Sequence, residues 1–86
     1  MFIRNVLIED KIKEKIADKH NVQAIEIKNI FFNNPLILKT RFSRFIAIGH
    51  FQRYLTVIFE YNKGTANIIT AYPSSDAQIK LYKKKR

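Results

Sequence analysis

Between Leu36 and Tyr72 the chain passes through four stretches rich in β-branched and aromatic residues, at 36–40, 45–51, 54–61 and 66–72, separated by short polar breaks. Such side chains suit the pleated, half-buried surface of a sheet. The break Asn62-Lys63-Gly64-Thr65 has the composition of a tight hairpin turn, because glycine reaches φ > 0 without a steric penalty. Consecutive strands joined by short connections pair antiparallel, so four sequential antiparallel strands are predicted. Within the third stretch, Leu55, Val57, Phe59 and Tyr61 alternate with Thr56, Ile58 and Glu60. The first set predicts a face packed on helices, and the second a half-open face where a site is expected.

The helices flank these strands. Ile8, Ile12 and Ile16 recur every four residues with charges between them, the spacing of one helix stripe, and predict a helix over about 9–20. Asn21 stands where a left-handed helix-ending residue is expected, since asparagine tolerates positive φ. Val22, Ile25, Ile30, Phe31 and Phe32 supply the apolar side of a second helix, which Asn33-Asn34-Pro35 ends. Ser75-Asp76-Ala77-Gln78 is a capping-box sequence that predicts a short terminal helix carrying Lys80 and the run Lys83-Lys84-Lys85-Arg86. The predicted class is α+β: two N-terminal helices packed on a four-stranded antiparallel sheet, with a short basic C-terminal helix, as one domain over residues 1–86. A chain of 86 residues has room for a single modest core.

Charge narrows the function. Residues 1–38 carry six basic and five acidic side chains, whereas residues 39–86 carry ten basic and two acidic. A field of that sign concentrates polyanions at one part of the surface, which makes nucleic acid the expected partner. An acidic protein or an anionic membrane ranks next, and Lys-, Ile- and Asn-rich usage from an AT-rich genome is the alternative source of the charge. The chain has no cysteine, so disulfides, thiolate–zinc sites, iron–sulfur clusters and thiol nucleophiles are excluded. Most of the seven carboxylates fall in the first helix and the two histidines stand thirty residues apart, so metalloenzyme ligand sets are absent and no cofactor is expected. No glycine-rich phosphate loop with its lysine is present, and Ser43, Ser74 and Ser75 lack a nucleophile-elbow context. Glu9, Asp10 and Lys11 interrupt the apolar start, and no run approaches the roughly 18 apolar residues of a membrane span. A soluble, unexported, cytoplasmic protein is expected.

Several short motifs in order carry a resemblance to the BrnT family of bacterial toxins, within the RelE-like and barnase-like ribonucleases. Lys19-His20-Asn21-Val22 is similar to the family's Lys-His-Gly-Val, and Phe31-Phe32-Asn33-Asn34-Pro35 to its Val-Phe…Asp-Pro. Arg44-Phe45-Ile46-Ala47-Ile48-Gly49 matches Arg-aromatic-x-x-Ile-Gly, and Ile69-Thr70-Ala71 is similar to Ile-Ser-Ala. Ser75-x-x-Gln78 stands where the family has Thr-x-x-Glu, with Tyr82 four residues on. One departure matters: the family follows Ser-Ala with arginine, and this chain has Tyr72. The Thr-Ala-Tyr-Pro form resembles other barnase-like nucleases whose last strand supplies a hydroxyl and an aromatic ring, so the change reads as either loss or exchange of catalytic equipment.

The resemblance implies a RelE-like fold and a toxin of a type II toxin–antitoxin system. Its partners would be RNA and an antitoxin with an acidic segment and a DNA-binding element, assembled as a hetero-oligomer. The implied reaction is attack of the RNA 2′-OH on its own phosphodiester, without a metal. That chemistry needs a base, cations for the added charge and an acid for the leaving oxygen. The candidate catalytic residues are Arg44, His50, Thr70 and Tyr72. His50 is the titrating group and Arg44 the phosphate stabiliser, while Tyr72 stacks on a base or donates a proton and Thr70 orients the phosphate. Lys39, Arg41, Arg53, Lys80, Lys83 and Lys84 are the candidate RNA-binding residues. His20 is assigned a packing or capping role. A non-catalytic basic toxin or an RNA-binding module on the same scaffold is the alternative.

Overall fold

The computed structural model describes residues 1–85; Arg86, the last residue of the predicted basic run, lies outside the described residues. The elements run β1 (Asn5–Leu7), α1 (Asp10–His20), α2 (Ala24–Phe32), β2 (Leu36–Lys39), β3 (Arg44–His50), β4 (Tyr54–Asn62), β5 (Thr65–Pro73) and α3 (Asp76–Lys85). The sheet order is β1-β5-β4-β3-β2. The α+β class and the four antiparallel strands β2 to β5 appear as expected.

The expected four-stranded sheet needs one correction. A fifth strand, β1, joins β5 in parallel through Asn5↔Thr65, Val6↔Ala66 and Leu7↔Asn67, so the sheet is mixed. The segment is only three residues long, too short for any alternation to announce it. Its place is set by distant partners: the backbone N–H groups of Arg4 and Asn5 both donate to the carbonyl of Gly64, at 2.7 and 3.1 Å. Gly64 is in the β4–β5 turn, where Lys63 (φ 48°) and Gly64 (φ 85°) both take positive φ.

Local signals placed the helix ends well. Asn21 closes α1 in the left-handed region (φ 53°, ψ 42°), and its N–H reaches the carbonyl of Ala17. Asn34 turns through positive φ before Pro35, and α2 has ended by then. Ile16, Val22, Ile27, Ile30 and Phe31 of the helical half pack on Ala47, Leu55, Val57, Phe59, Ala66, Ile68 and Ala71 of the sheet. Phe59 is the centre of this layer, with Phe31 edge-on at 5.0 Å and Phe45 stacked at 5.7 Å between centroids. Gly49 lets α2 sit close, because a Cβ there would lie 2.8 Å from Cγ2 of Ile30. Among the described residues, no helix is long and apolar enough to cross a membrane.

Candidate active site

The register assigns the second face of the sheet. Arg44 lies opposite Glu60, Ile46 opposite Ile58, Ile48 opposite Thr56 and His50 opposite Tyr54. On the other side of β4, Thr70 lies opposite Ile58 and Tyr72 opposite Thr56. Residues 44, 46, 48 and 50 therefore share a face with 54, 56, 58 and 60, and with Thr70 and Tyr72. Phe59 pairs with Ile68 while Ile58 pairs with Thr70, so Ile69 is an extra residue in β5. A bulge of this kind re-aims the side chains beside it, here directly before Thr70.

α3 covers one end of this face, and a closed set of hydrogen bonds fixes it there. The N–H of Ser75 donates to Oε1 of Gln78 at 2.9 Å, and the N–H of Gln78 donates to Oγ of Ser75 at 3.2 Å, the predicted capping box. A backbone N–H is an obligatory donor, so the oxygen of the Gln78 amide is identified by it. Thr56 Oγ1, 3.0 Å from that oxygen, must be donating to it, and so accepts from Ser74 Oγ at 2.7 Å. The Gln78 Nε2 group then donates to the Tyr72 hydroxyl at 3.2 Å. The direction runs one way, from Ser74 through Thr56 to the Gln78 oxygen, with the Gln78 amide hydrogen on Tyr72. The Tyr72 oxygen is thus an acceptor toward α3, and its own proton points elsewhere.

The expected catalytic residues divide into separate places. Arg44 and His50 are the two ends of β3, about 20 Å apart along the strand, so one phosphate does not contact both. Thr70 and Tyr72 sit two strands away, each about 12 Å from the nearer of that pair by strand spacing and rise. His50 packs against Tyr54 at 4.5 Å between centroids, and Tyr54 meets Tyr82 edge-on at 5.7 Å. Lys83 reaches over the Tyr54 ring at 5.8 Å. The His50 carbonyl accepts from Asn33 Nδ2 at the end of α2. Arg44 is exposed; it faces Glu60 in register, yet among the described residues the ion pair that forms is Arg53–Glu26.

Arg53 is engaged elsewhere than on an open surface. Its Nε donates to Glu26 Oε1 at 2.9 Å, and its terminal nitrogen to Glu26 Oε2 at 3.1 Å and to the Asn21 carbonyl at 2.6 Å. It thereby ties the β3–β4 turn to the end of α1 and the first turn of α2. The Arg53 guanidinium holds the Glu26 carboxyl below its ordinary value, against the opposing effect of burial. Lys39 falls on the helix-packed face opposite Phe45 and lines a groove of mixed character with Ile3, Phe31, Asn34, Ile37 and Phe45. Arg41 is exposed in the β2–β3 turn, and Lys80, Lys83 and Lys84 are exposed along α3.

One cleft brings together residues that the sequence reading had set apart. Among the described residues β5 has no strand partner on its outer side beyond Asn67, and α1 packs against this strand. A cavity of about 300 Å³ between them is lined by Lys15, Ile16, Lys19, His20, Ile69 and Thr70. The His20 ring is 6.0 Å from that of Tyr72. The i, i+4 spacing of Lys15 and Lys19 was the available signal for this face of α1. Among the described residues, no three His, Asp or Glu side chains converge as a metal site requires.

No protein-family model matches the chain, and no curated protein matches it in sequence. Among solved structures, the crystal structure of the Brucella abortus ribonuclease toxin BrnT matches with a TM-score of 0.71, covering 84% of this chain and 97% of that one at 18% sequence identity. The fold is BrnT-like. The likeness spans most of both chains, so the mixed sheet and its helices form one shared architecture rather than a common fragment. On this BrnT-like scaffold Thr70 and Tyr72 of β5 stand between Gln78 of α3 and His20 at the end of α1.

Proposed function

We propose that this chain is the toxin of a toxin–antitoxin pair and a metal-independent endoribonuclease. One observation supports the reading above the others: on a fold shared with a ribonuclease toxin, Thr70 and Tyr72 stand on the strand beside a cleft bearing cations, next to a basic helix. The proposed reaction is attack of the ribose 2′-OH on the adjacent phosphorus with departure of the 5′-oxygen. The products are a 2′,3′-cyclic phosphate and a 5′-OH. Thr70 orients the phosphate by its hydroxyl. Tyr72, whose proton is free of the α3 network, faces the reacting group. Arg44 and Arg41 at one end of the sheet, and Lys80, Lys83 and Lys84 along α3, hold flanking phosphates of a strand laid across the face. Arg53 belongs to the framework through Glu26, and His50 lies outside the reacting group's reach. The partner that restrains the toxin is an acidic segment of an antitoxin covering the same cationic face, with both proteins in the cytoplasm.

The separation of Arg44 from His50 favours a second reading, a basic toxin or RNA-binding module without catalysis. Purified protein incubated with total RNA in EDTA distinguishes them. The ribonuclease reading expects wild-type cleavage, a loss of about a hundredfold or more in Tyr72→Phe, and a smaller loss in Arg44→Ala. RNA that stays intact while bound by folded protein supports the second reading.

A further inference from the structure

The cleft between α1 and β5 goes beyond this assignment, and the inference drawn from it rests on the ribonuclease reading. We propose that His20 and Tyr72 form the acid–base pair of the reaction, with Lys15 and Lys19 holding the scissile phosphate between α1 and Thr70. Three observations converge on it. Helix stability explains part of the cluster but not all: Lys19 and His20 lie in the last turn of α1, where cations complement the helix dipole. Lys15 stands one turn earlier, and Thr70 belongs to another element across the cavity, so the dipole accounts for neither. The cavity of about 300 Å³ is the size of a small ligand pocket, and Ile69, the extra residue of the β5 bulge, lines it together with Thr70. Finally, the two rings stand 6.0 Å apart and the hydrogen-bond direction at Tyr72 is settled, since its oxygen accepts from Gln78 and its proton is left to donate. Rings this close can both be reached by one ribose–phosphate linkage lying in the cleft.

The steps balance without a co-reactant. A neutral His20 imidazole takes the 2′-OH proton as the 2′-oxygen bonds to phosphorus. The bond from phosphorus to the 5′-oxygen breaks, and that oxygen takes the Tyr72 phenolic proton. The imidazolium of His20 returns its proton to the Tyr72 phenolate, which restores both groups. Gln78 is a positioning residue: it orients Tyr72 and touches no reacting atom.

The test uses the whole chain and two substrates, ordinary RNA and RNA with sulfur in place of the 5′-bridging oxygen at one linkage, in EDTA. A thiolate leaves without protonation, so only the acid's role is bypassed. On ordinary RNA, His20→Asn and Tyr72→Phe are each expected to lose about a hundredfold or more in rate. On the sulfur-bridged RNA, Tyr72→Phe is expected to recover to near the wild-type rate while His20→Asn stays slow. Recovery also shows that Tyr72→Phe is folded, and circular dichroism checks His20→Asn. Inorganic phosphate, titrated into labelled protein, is expected to shift the amide resonances of Lys15, Lys19, His20 and Thr70. Wild-type cleavage that persists in His20→Asn, a Tyr72→Phe variant that sulfur does not rescue, or phosphate shifts confined to other residues each overturns the pair and leaves the ribonuclease reading standing. Wild-type protein that cleaves neither RNA overturns both.

Discussion

The two faces of the sheet are built for different ends. The face under α1 and α2 is closed by apolar side chains, with Val57 and Phe59 completely buried and ring contacts on both sides of Phe59. The face under α3 is covered at one end only. There, the completely buried Thr56 is a hydroxyl where the other face would place a methyl, and directed hydrogen bonds join it to Ser74 and to Gln78 of α3. Non-directional packing is tolerant of chemistry but gives no control of a single proton. A hydrogen-bond chain contributes less stability and settles which atom donates. The first face therefore carries the core, and the second fixes the orientation of Thr56, Gln78 and Tyr72.

Substitutions separate the two roles, beginning with the strongest. Phe59→Ala removes the centre of the closed face and is expected to destabilise by about 3–5 kcal/mol, read as a fall in the urea midpoint with all RNA binding lost on unfolding. Thr56→Val keeps the shape and removes the hydroxyl, leaving Ser74 without its acceptor and the Gln78 oxygen short of one donor. Its expected stability loss is about 1–2 kcal/mol, with a drop in activity larger than that loss explains.

Glu26→Gln tests the rim that joins α1, α2 and the β3–β4 turn, with an expected loss of about 1 kcal/mol at neutral pH. Because the folded-state value of Glu26 is lowered, its contribution is complete above the ordinary value of 4.5 and is lost as pH falls through the folded value. Urea midpoints of wild type and variant should differ at pH 7 and converge in acid. Arg44→Ala has the smallest expected effect on folding, since the side chain is exposed and outside the ion pair. Its effect is sought in RNA binding, where the slope of log affinity against log salt should fall by about one.

How much of this was legible in the sequence follows from the range of each interaction. The Asn21 helix end, the Gly64 turn and the Ser75–Gln78 capping box are settled within four residues, and all three stand as read. β1 escaped because three residues show no period, and its pairing with β5 spans about sixty positions. The spatial grouping of the candidate residues was hidden for the same reason. Arg44 and His50 look close in sequence, but an extended strand carries them apart, whereas His20 and Tyr72 are fifty-two positions apart and meet across the α1–β5 cleft. The partner of Arg53 was equally hidden, because Glu26 reaches it only once α2 has docked on β3. The alternation in β4 did identify the open face, since period two depends on backbone geometry alone.

The central claim is that RNA is cut through its own 2′-OH on the face beside β5. The direct measurement uses two oligonucleotides of identical sequence in EDTA, one unmodified and one fully 2′-O-methylated, with product ends identified by mass spectrometry. The account predicts cleavage of the first alone, ending in 2′,3′-cyclic phosphate and 5′-OH. Cleavage of the methylated strand, or an unmodified strand that folded protein binds and leaves whole, would contradict it.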